Sequence, residues 1–472
     1  MSTKTQLAVI GGGPGGYAAA FLAADLGMQV TLIDMEKNPG GVCLYRGCIP
    51  SKALLHVAKL INEAEEAKKW GVDFGEPKID VAKLRDFKNG VVNKLTGGLG
   101  QLAKQRKVNY INGRATFVNS NTLSVAKADG TTEEVVYEKA ILATGSVPTK
   151  ITGLSIDSPR VMDSTSALEL NDIPKRLLVI GGGYIGLELS TVYASLGSEV
   201  TVVEMLPGLL PGADRDMVAV LERRVKSLMK NVFTETKVVD LKDNGDSVTV
   251  KLEGAKVTEP EQTFDKVLIS IGRRPVTTGF GLENTKVKVN ERGFVITDKT
   301  MKTDDENVYA IGDIVGNPML AHKAAAEGKV AVEAILGHKV AFEPNAIPAV
   351  VFTDPELAWA GITENEAREK GIKVEVAKFP WGASGRATTL DRNDGMTKLI
   401  VEPETERILG VAIVGVGAGD MIAEGTLAIE MGAVVKDLEL TIHPHPTLSE
   451  TMMFAAELYY GHATDMYRPK RK

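Results

Sequence analysis

The sequence predicts an α/β protein in which two similar strand–helix–strand units precede a C-terminal α+β domain. The chain has 472 residues, more than a single hydrophobic core usually organises. One glycine-rich unit occurs twice, and the second copy follows the first at a constant offset of 170 residues. Residues 397–401 alternate as in a strand and helical patterns follow them, which is typical of an α+β domain.

Both copies of the unit have the same order of parts. An apolar strand (7–10 or 177–180) leads into a glycine-rich turn, a helical stretch and a second strand (30–33 or 200–203). An acid, Asp34 or Glu204, then lies 18 residues after the last glycine of the turn. The turns contain Gly11, Gly13, Pro14 and Gly16 in the first copy, and Gly181, Gly183, Tyr184, Ile185 and Gly186 in the second.

This order of parts is typical of Rossmann-like dinucleotide-binding domains. Glycines let a pyrophosphate approach the backbone, the helix N-terminus attracts its negative charge, and the acid accepts hydrogen bonds from ribose hydroxyls. Two complete copies therefore predict two bound dinucleotides. Glu204 would repel a 2′-phosphate, and Met205, Leu206 and Pro207 follow it instead of basic residues, so the second unit is expected to prefer NAD to NADP.

The only two cysteines, Cys43 and Cys48, lie just after the first unit, where apolar periodicity indicates the start of a helix. Residues five apart in a regular helix point in different directions, so a disulfide needs an irregular first turn, which Gly47 and Pro50 favour. A helix N-terminus also lowers the pKa of a thiol. Two buried structural thiols are the alternative, which does not explain the adjacent dinucleotide-binding turn.

Composition and charge exclude several classes of protein. The formal net charge is −6 and the only basic run is the tail at 468–472, expected to be a solvated terminus, so no nucleic-acid partner is predicted. Because no stretch of about 18 consecutive apolar residues occurs, no membrane span is predicted. The polar start runs directly into the first strand and fits no secretory or transit signal, so a cytoplasmic location is expected.

The segment at 40–52, Gly-Gly-Val-Cys-Leu-Tyr-Arg-Gly-Cys-Ile-Pro-Ser-Lys, resembles the redox-disulfide segment of the pyridine nucleotide-disulfide oxidoreductases. Its continuation, Cys-Ile-Pro-Ser-Lys-Ala-Leu-Leu, is more similar to the dihydrolipoamide dehydrogenase branch than to the glutathione reductases. The resemblance extends over nearly the whole chain, with further matching segments at 143–146, 271–275, 310–313 and 443–450.

The resemblance implies a role for each matching residue. Cys43 would exchange with the substrate, Cys48 would form the charge-transfer thiolate, and Lys52, paired with Glu188, would lie beside the flavin. The residues implied to hold FAD are Gly11, Gly13, Pro14, Gly16, Asp34, Gly312 and Asp313, with backbone near Ala115 and Ala321. Those implied to hold NAD are Gly181, Gly183, Tyr184, Ile185, Gly186, Glu204, Val238 and Gly272. Cofactor binding is also expected of Gly41, Val42, Thr144, Gly145, Ser146 and Arg273.

The C-terminal matching segment would supply the proton chemistry. Dithiol oxidation releases two protons, and histidine titrates nearest to neutral pH. The resemblance assigns His445 as the base and Glu450 as the carboxylate that orients it, and it favours a structural role for His443. In this family the base comes from the other subunit, so a homodimer is implied. We also predict a cis peptide bond before Pro446.

The resemblance implies that protein-bound dihydrolipoamide is oxidised to lipoamide through the Cys43–Cys48 disulfide and FAD, with NAD⁺ as acceptor. Implied partners are the lipoyl domains and acyltransferase core of 2-oxoacid dehydrogenase complexes. The landmarks divide the chain into FAD parts at 1–148 and 275–347, an NAD domain at 149–274 and a dimerisation domain at 348–472.

Other members of the family fit less well. Soluble transhydrogenases generally lack the first cysteine, mercuric reductases add C-terminal cysteines, and glutathione reductases carry NADP-binding arginines where Glu204 stands. A flavin-binding scaffold without turnover would not need Cys43, Cys48, His445 and Glu450 together.

Overall fold

The computed structural model describes residues 2–127 and 129–467, and its architecture confirms the predicted fold class. The basic tail at 468–472 lies outside the described residues. The elements up to residue 148 are β1 (Ser2–Ile10), α1 (Pro14–Asp25), β2 (Val30–Asp34), α2 (Gly41–Arg46), α3 (Cys48–Glu66), α4 (Val81–Gln105), β3 (Asn109–Asn119), β4 (Thr122–Lys127), β5 (Thr132–Leu142) and β6 (Ser146–Pro148).

The next elements are β7 (Val161–Met162), α5 (Ser164–Glu169), β8 (Arg176–Ile180), α6 (Tyr184–Ser195), β9 (Glu199–Val203), α7 (Arg215–Leu228), β10 (Asn231–Phe233), β11 (Lys237–Asp243), β12 (Val248–Glu253), β13 (Glu261–Phe264), β14 (Lys266–Ile269) and β15 (Arg273–Pro275). The remaining elements are β16 (Val308–Ala310), α8 (Ala321–Ile335), β17 (Ala349–Val351), β18 (Glu356–Gly361), α9 (Glu364–Glu369), β19 (Glu375–Pro380), α10 (Gly385–Thr389), β20 (Met396–Val401), β21 (Ile408–Gly415), α11 (Ala418–Glu430), α12 (Val435–Leu440) and α13 (Glu450–Tyr460).

The first sheet has a parallel core in the order β3-β2-β1-β5-β16, with β4 joining β3 and β5 in an antiparallel ladder. Residues 7–10 of the central strand are at most 2% exposed, as expected for a strand covered on both faces. The polar residues before them are also in β1, because they pair with residues 134–137 of β5. The strand is therefore longer at its N-terminal end than its apolar run.

Close packing of α1 on β1 requires the last glycine of the turn. A Cβ on Gly16 would lie 1.8 Å from the carbonyl oxygen of Gly11, and one on Gly186 would lie 2.1 Å from that of Gly181. The same close contact in both units explains why the glycine recurs.

The second unit repeats this arrangement. All neighbours in the sheet β10-β9-β8-β14-β7 are parallel, and an antiparallel meander of β11, β12 and β13 lies beside it. The two units are joined by a short antiparallel ladder between β6 and β15, in which Arg273 pairs with Pro148. This ladder lies where two of the expected divisions fall, and the domain bounds given above stay predictions.

The C-terminal unit is an antiparallel sheet in the order β17-β18-β21-β20-β19, packed with helices α11 and α13. Strand β20 covers the stretch predicted at 397–401. Within this strand the side chain of Lys398 is 0% exposed. Its Nζ lies 2.9 Å from Asp214 Oδ2, 2.6 Å from Asp216 Oδ1 and 2.6 Å from Glu364 Oε1. The acids precede or begin α7 and α9, so this buried cation joins the second unit to the C-terminal unit.

We expect Lys398→Met to lower the free energy of unfolding by about 3 kcal/mol, because loss of the ammonium leaves the buried carboxylate of Asp214 without a cation. The thermal unfolding midpoint of the cofactor-loaded protein measures this. Lys256→Met is a matched control, since Lys256 pairs with Glu235 on the surface. Equal midpoints for the two variants would contradict the expectation.

Within the described residues, none of the helices combines the length and the hydropathy that crossing a bilayer requires.

Candidate active site

A large cavity runs from the first glycine turn to the two cysteines, at the carboxyl ends of the strands of the first sheet. Ligands in open α/β sheets bind at this edge. The predicted site residues that line it are Gly11, Gly13, Pro14, Asp34, Gly41, Val42, Cys43, Cys48, Lys52, Thr144, Gly145, Ser146, Tyr184, Ile185, Glu188, Arg273, Gly312, Asp313 and Ala321.

The glycine turn fits a dinucleotide. Gly41 has a φ of +58°, and a Cβ there would lie 2.5 Å from the Cα of Gly13, so both positions leave backbone free to face the cavity. Helix α1 begins at this turn with Gly13 as its N-cap and presents its N-terminus to the cavity. Backbone N–H groups and the positive end of a helix are a suitable site for a pyrophosphate.

Asp34 and Glu204 occupy equivalent places in the two units. Asp34 accepts hydrogen bonds from the backbone N–H groups of Gly12 and Glu36, and burial raises its pKa. Glu204 Oε2 accepts the N–H of Gly182 at 2.7 Å, and Oε1 accepts that of Leu206 at 2.8 Å. Each carboxylate is thereby fixed beside its glycine turn, where a ribose would lie.

The cysteine segment is a helix broken at one residue. Helix α2 ends at Arg46, Gly47 takes φ −142° and ψ −112°, and α3 begins at Cys48, inside the motif and earlier than its apolar periodicity indicates. This is the irregular turn that a bridge requires. Both thiols are free, and a hydrogen bond joins them.

The two thiols have different acidities. The hydrogen bond from Cys43, together with the ammonium group of Lys52, lowers the pKa of Cys48 to about 7 against the opposing effect of burial. The same hydrogen bond, together with burial, raises the pKa of Cys43. At neutral pH a large part of Cys48 is therefore ionised, whereas Cys43 stays a thiol.

Lys52 lies one helical turn after Cys48 in α3. Its Nζ donates to Glu188 Oε2 at 2.8 Å, so the predicted pair is present. Glu188 comes from α6 of the second unit and its side chain is only 4% exposed. The pair thus brings the second unit to the redox segment.

A network of polar groups fixes the turn around Asp313. Ser146 donates its hydroxyl to Asp313 Oδ2 and accepts from Arg273 Nε at 2.8 Å. The backbone N–H of Gly312 donates to the buried Glu327 Oε2 at 2.7 Å. Glu327 is itself paired with the buried Lys323. Predicted site residues from three separate segments are therefore held at one place in the cavity wall.

Several predicted residues lie outside this cavity. Gly16 packs α1 on β1, and Ala115 is 2% exposed in the core, although its neighbour Arg114 lines the cavity. The other residues predicted for NAD lie on the second unit: Gly181, Gly183 and Gly186 at the start of α6, Glu204 after β9, Val238 in β11 and Gly272 before β15.

His445 and Glu450 also lie apart from the cysteines, on the C-terminal unit. His445 is 76% exposed, and its Nδ1 lies 2.9 Å from Oε1 of the buried Glu450. The second oxygen of Glu450 accepts the N–H of Thr447 at 2.7 Å. The bond before Pro446 is cis, as predicted. His443 is held by Glu424 and by the carbonyl of Thr441, each at 2.8 Å, which fits a structural role.

Part of the cavity wall consists of residues that were not predicted from the sequence. Glu36 lies two residues after Asp34 and forms an ion pair with Arg46. Phe280 and Met319 come from stretches without a recognisable pattern. Of these residues, Glu36 could have been predicted from the sequence, because it lies two positions after the predicted acid Asp34. The missed lining residues include Met35, Glu36, Arg46, Arg114, Ser164, Leu168, Leu189, Val276, Phe280, Met319 and Ala324.

Two dinucleotide-binding units and a thiol pair at the end of the first cavity define a two-dinucleotide disulfide oxidoreductase. Residues 5–328 match the pyridine nucleotide-disulphide oxidoreductase family, and residues 347–456 match its dimerisation domain. The chain belongs to this family. It is accordingly an NAD-dependent flavoprotein that uses FAD and NAD(H), and the second match indicates a homodimer.

Several curated relatives resemble the chain over nearly its whole length. Proteins named dihydrolipoyl dehydrogenase from Vibrio cholerae and Haemophilus influenzae are 50% and 48% identical over 469 residues, which cover 99% of this chain and 98% of each relative. One from Geobacillus stearothermophilus is 45% identical over 458 residues, covering 97% of both chains.

Solved structures show the same fold. LpdA from Mycobacterium tuberculosis superposes with a TM-score of 0.89 at 26% identity, covering 96% of this chain and 99% of that one. The Cu(II) complex of the HOCl-induced flavoprotein disulfide reductase RclA from Escherichia coli gives 0.86 at 30% identity, covering 97% and 99%.

Proposed function

We propose that the chain catalyses the dihydrolipoyl dehydrogenase reaction, oxidising dihydrolipoamide through Cys43 and Cys48 and passing two electrons to NAD⁺. The observation that carries this proposal is the unequal thiol pair. Cys48 has a pKa of about 7 beside Lys52, and Cys43 donates a hydrogen bond to it, at the end of a dinucleotide-binding cavity. The names and the identity of the curated relatives support the choice of substrate.

The reaction of the oxidised cysteine pair is a thiol–disulfide exchange. A substrate thiolate attacks Sγ of Cys43, the Cys43–Cys48 bond breaks, and Cys48 leaves as a thiolate. The second substrate thiol attacks the sulfur bound to Cys43, which releases the cyclic disulfide and leaves Cys43 as a thiol. Dihydrolipoamide has then lost two electrons and become lipoamide, and the cysteines have gained them. When bound, FAD supplies two-electron transfer between the cysteine pair and NAD⁺.

Proton transfer is assigned to His445. Its Nδ1 is bonded to Glu450, so Nε2 is available to take the proton of the first substrate thiol. The carboxylate orients the ring and stabilises the imidazolium ion. Of the two substrate protons, one stays on His445 and the other ends on Cys43, whose raised pKa favours the thiol. Because His445 lies outside the cavity that holds the cysteines, we assign it to the site of the partner subunit.

The cofactor residues are assigned on the same basis. The glycine turn and Asp34 would hold the adenosine and pyrophosphate of FAD, and the 144–146 and 312–313 turns the part nearer the ring. Glu204 and the 181–186 turn would hold NAD. Gly272 and Val238 are assigned to the same NAD site because of the resemblance to the family.

The natural substrate would be a dihydrolipoyl group carried on a lipoyl domain. The homodimer would then associate with the acyltransferase core of a 2-oxoacid dehydrogenase complex. The exposed position of His445 is compatible with a substrate presented by another protein. A cytoplasmic location stays a prediction from the sequence.

Steady-state assays with dihydrolipoamide, reduced glutathione and NADPH test the substrate assignment. We expect rapid reduction of NAD⁺ by dihydrolipoamide and little activity with glutathione. Preference for glutathione would overturn the proposal. A protein with a normal FAD content that turns over none of these substrates would support the scaffold alternative.

We expect Glu204→Gln to reduce the preference for NAD⁺ over NADP⁺ by about tenfold. The fixed carboxylate accepts hydrogen bonds from a ribose and repels a 2′-phosphate. The neutral amide of glutamine is a weaker acceptor and does not repel the phosphate. The ratio of kcat/KM for the two nucleotides measures the change. Asp240→Gln, in the neighbouring strand β11, is the matched control and should leave the ratio unaltered. An unchanged ratio in Glu204→Gln would remove this residue from nucleotide selection.

A further inference from the structure

The ammonium group of Lys52 lies at a junction of three parts of the chain. Lys52 comes from α3 of the first unit and Glu188 from α6 of the second. The aromatic ring of Phe352, which follows β17 of the C-terminal unit, lies 4.5 Å from Nζ. A cation at this distance from a ring centroid is attracted by the π electrons.

Phe352 acts on the pair in a second way. Its backbone N–H donates to Glu188 Oε1 at 3.0 Å, while Oε2 of the same carboxylate accepts from Lys52. Both oxygens of a nearly buried acid are therefore used, one for the lysine and one for the chain beside the ring. Phe352 therefore contacts both members of the ion pair, since its ring lies against the ammonium and its N–H group binds the carboxylate.

We propose that Phe352 is a positioning residue that holds the Lys52 ammonium beside Cys48, an inference that rests on the proposed function. Lys52 has a flexible four-carbon stem and about a third of its side chain is exposed, so its ion pair alone leaves the ammonium mobile. The ring lies against the ammonium, and Cys48 lies one turn earlier in the same helix. The charge that stabilises the thiolate is therefore held in place by the C-terminal unit.

The consequence is a dependence of Cys48 acidity on Phe352. The Lys52 charge lowers the pKa of Cys48, so a displaced ammonium should raise it. Other charged or titratable groups act on these thiols from neighbouring elements and are unchanged by the substitution. They are Cys43 on α2, Tyr17 on α1, Glu188 and Tyr184 on α6 and, by the proposed function, the partner's His445.

The test is a pH titration of the thiolate-to-flavin absorbance band in the two-electron-reduced holoenzyme. Phe352→Leu should shift the midpoint upward by about half a pH unit, which is roughly a threefold fall in the ratio of thiolate to thiol at a given pH. Phe352→Tyr keeps the ring and should retain the wild-type midpoint. Phe74→Leu is a matched control because Phe74 is an exposed phenylalanine in the loop before α4. Phe352→Met provides a second ringless variant if the leucine variant folds poorly.

Each outcome is decisive. A raised midpoint in the ringless variants, with normal values for Phe352→Tyr and Phe74→Leu, supports the inference. Equal midpoints in all variants overturn it and leave the proposed function intact. An equal shift in Phe352→Tyr also overturns it, since the ring would then not be the cause. If the wild type gives no band, the proposed function itself fails.

Discussion

Substitution of Cys48 by serine should lower kcat for the oxidation of dihydrolipoamide by at least about 10³-fold. A serine hydroxyl cannot form the disulfide, and it cannot supply a thiolate at neutral pH as Cys48 does with its pKa of about 7. FAD content should stay normal, because the cavity wall around the glycine turn is unaltered. Steady-state turnover together with the flavin absorbance per subunit measures both quantities.

Cys43→Ser distinguishes the two thiols. The Cys43→Ser variant should lose turnover to a similar extent, but it retains Cys48, and this thiol should still ionise. Since the folded pKa of Cys48 is lowered, the thiolate is present above about pH 7 and is lost as the pH falls below it. The hydrogen bond from Cys43 is the first cause of the lowering, and a serine at that position donates a similar bond. Wild-type turnover in either variant would exclude the cysteine pair from the reaction.

Substitution of His445 by glutamine should lower kcat/KM for dihydrolipoamide by about 10³-fold, because general base catalysis is worth about 10²–10⁴-fold. The loss should be greatest at low pH, where fewer substrate thiols ionise without help. Glu450→Gln should have a smaller effect, since it removes the charge that stabilises the imidazolium but keeps an acceptor for Nδ1. The measurement is the pH profile of kcat/KM for each variant.

Mixed dimers determine which subunit supplies His445. A dimer with Cys48→Ser in one subunit and His445→Gln in the other has one intact site if the histidine acts on the partner's cysteines. Equal mixing of the two inactive proteins should then restore about a quarter of wild-type activity, because about half of the dimers are mixed. His443→Gln serves as the control and should retain most activity. No recovery, with mixed dimers present, would show that His445 acts within its own subunit or not at all.

The parts of the fold with a regular pattern were predictable. Two strand–glycine–helix–strand units and their acids are readable because each part has a local physical requirement, such as the glycine that lies 1.8 Å from a carbonyl. The break between α2 and α3 was also indicated, by Gly47 and the spacing of the cysteines. Helix and strand ends were less predictable, and the polar start of β1 became a strand because a distant segment pairs with it.

Features that depend on distant contacts were not predictable. Nothing in the local pattern of β20 indicates that Lys398 is buried, yet carboxylates that precede or begin two helices pair with it. Phe352 stands outside every recognisable motif, and its place over Lys52 follows from the packing of three units. Such residues have no local signal, because the groups that give them a role come from other elements, at least 34 positions away in the sequence.

The most direct test of the central claim is reduction of the yellow holoenzyme with one equivalent of dihydrolipoamide, followed by its absorption spectrum. If Cys48 is the thiolate next to the flavin, a long-wavelength band should develop in the wild type and be absent in Cys48→Ser with the same FAD content. A wild-type spectrum without that band, or an unaltered band in Cys48→Ser, would contradict the account.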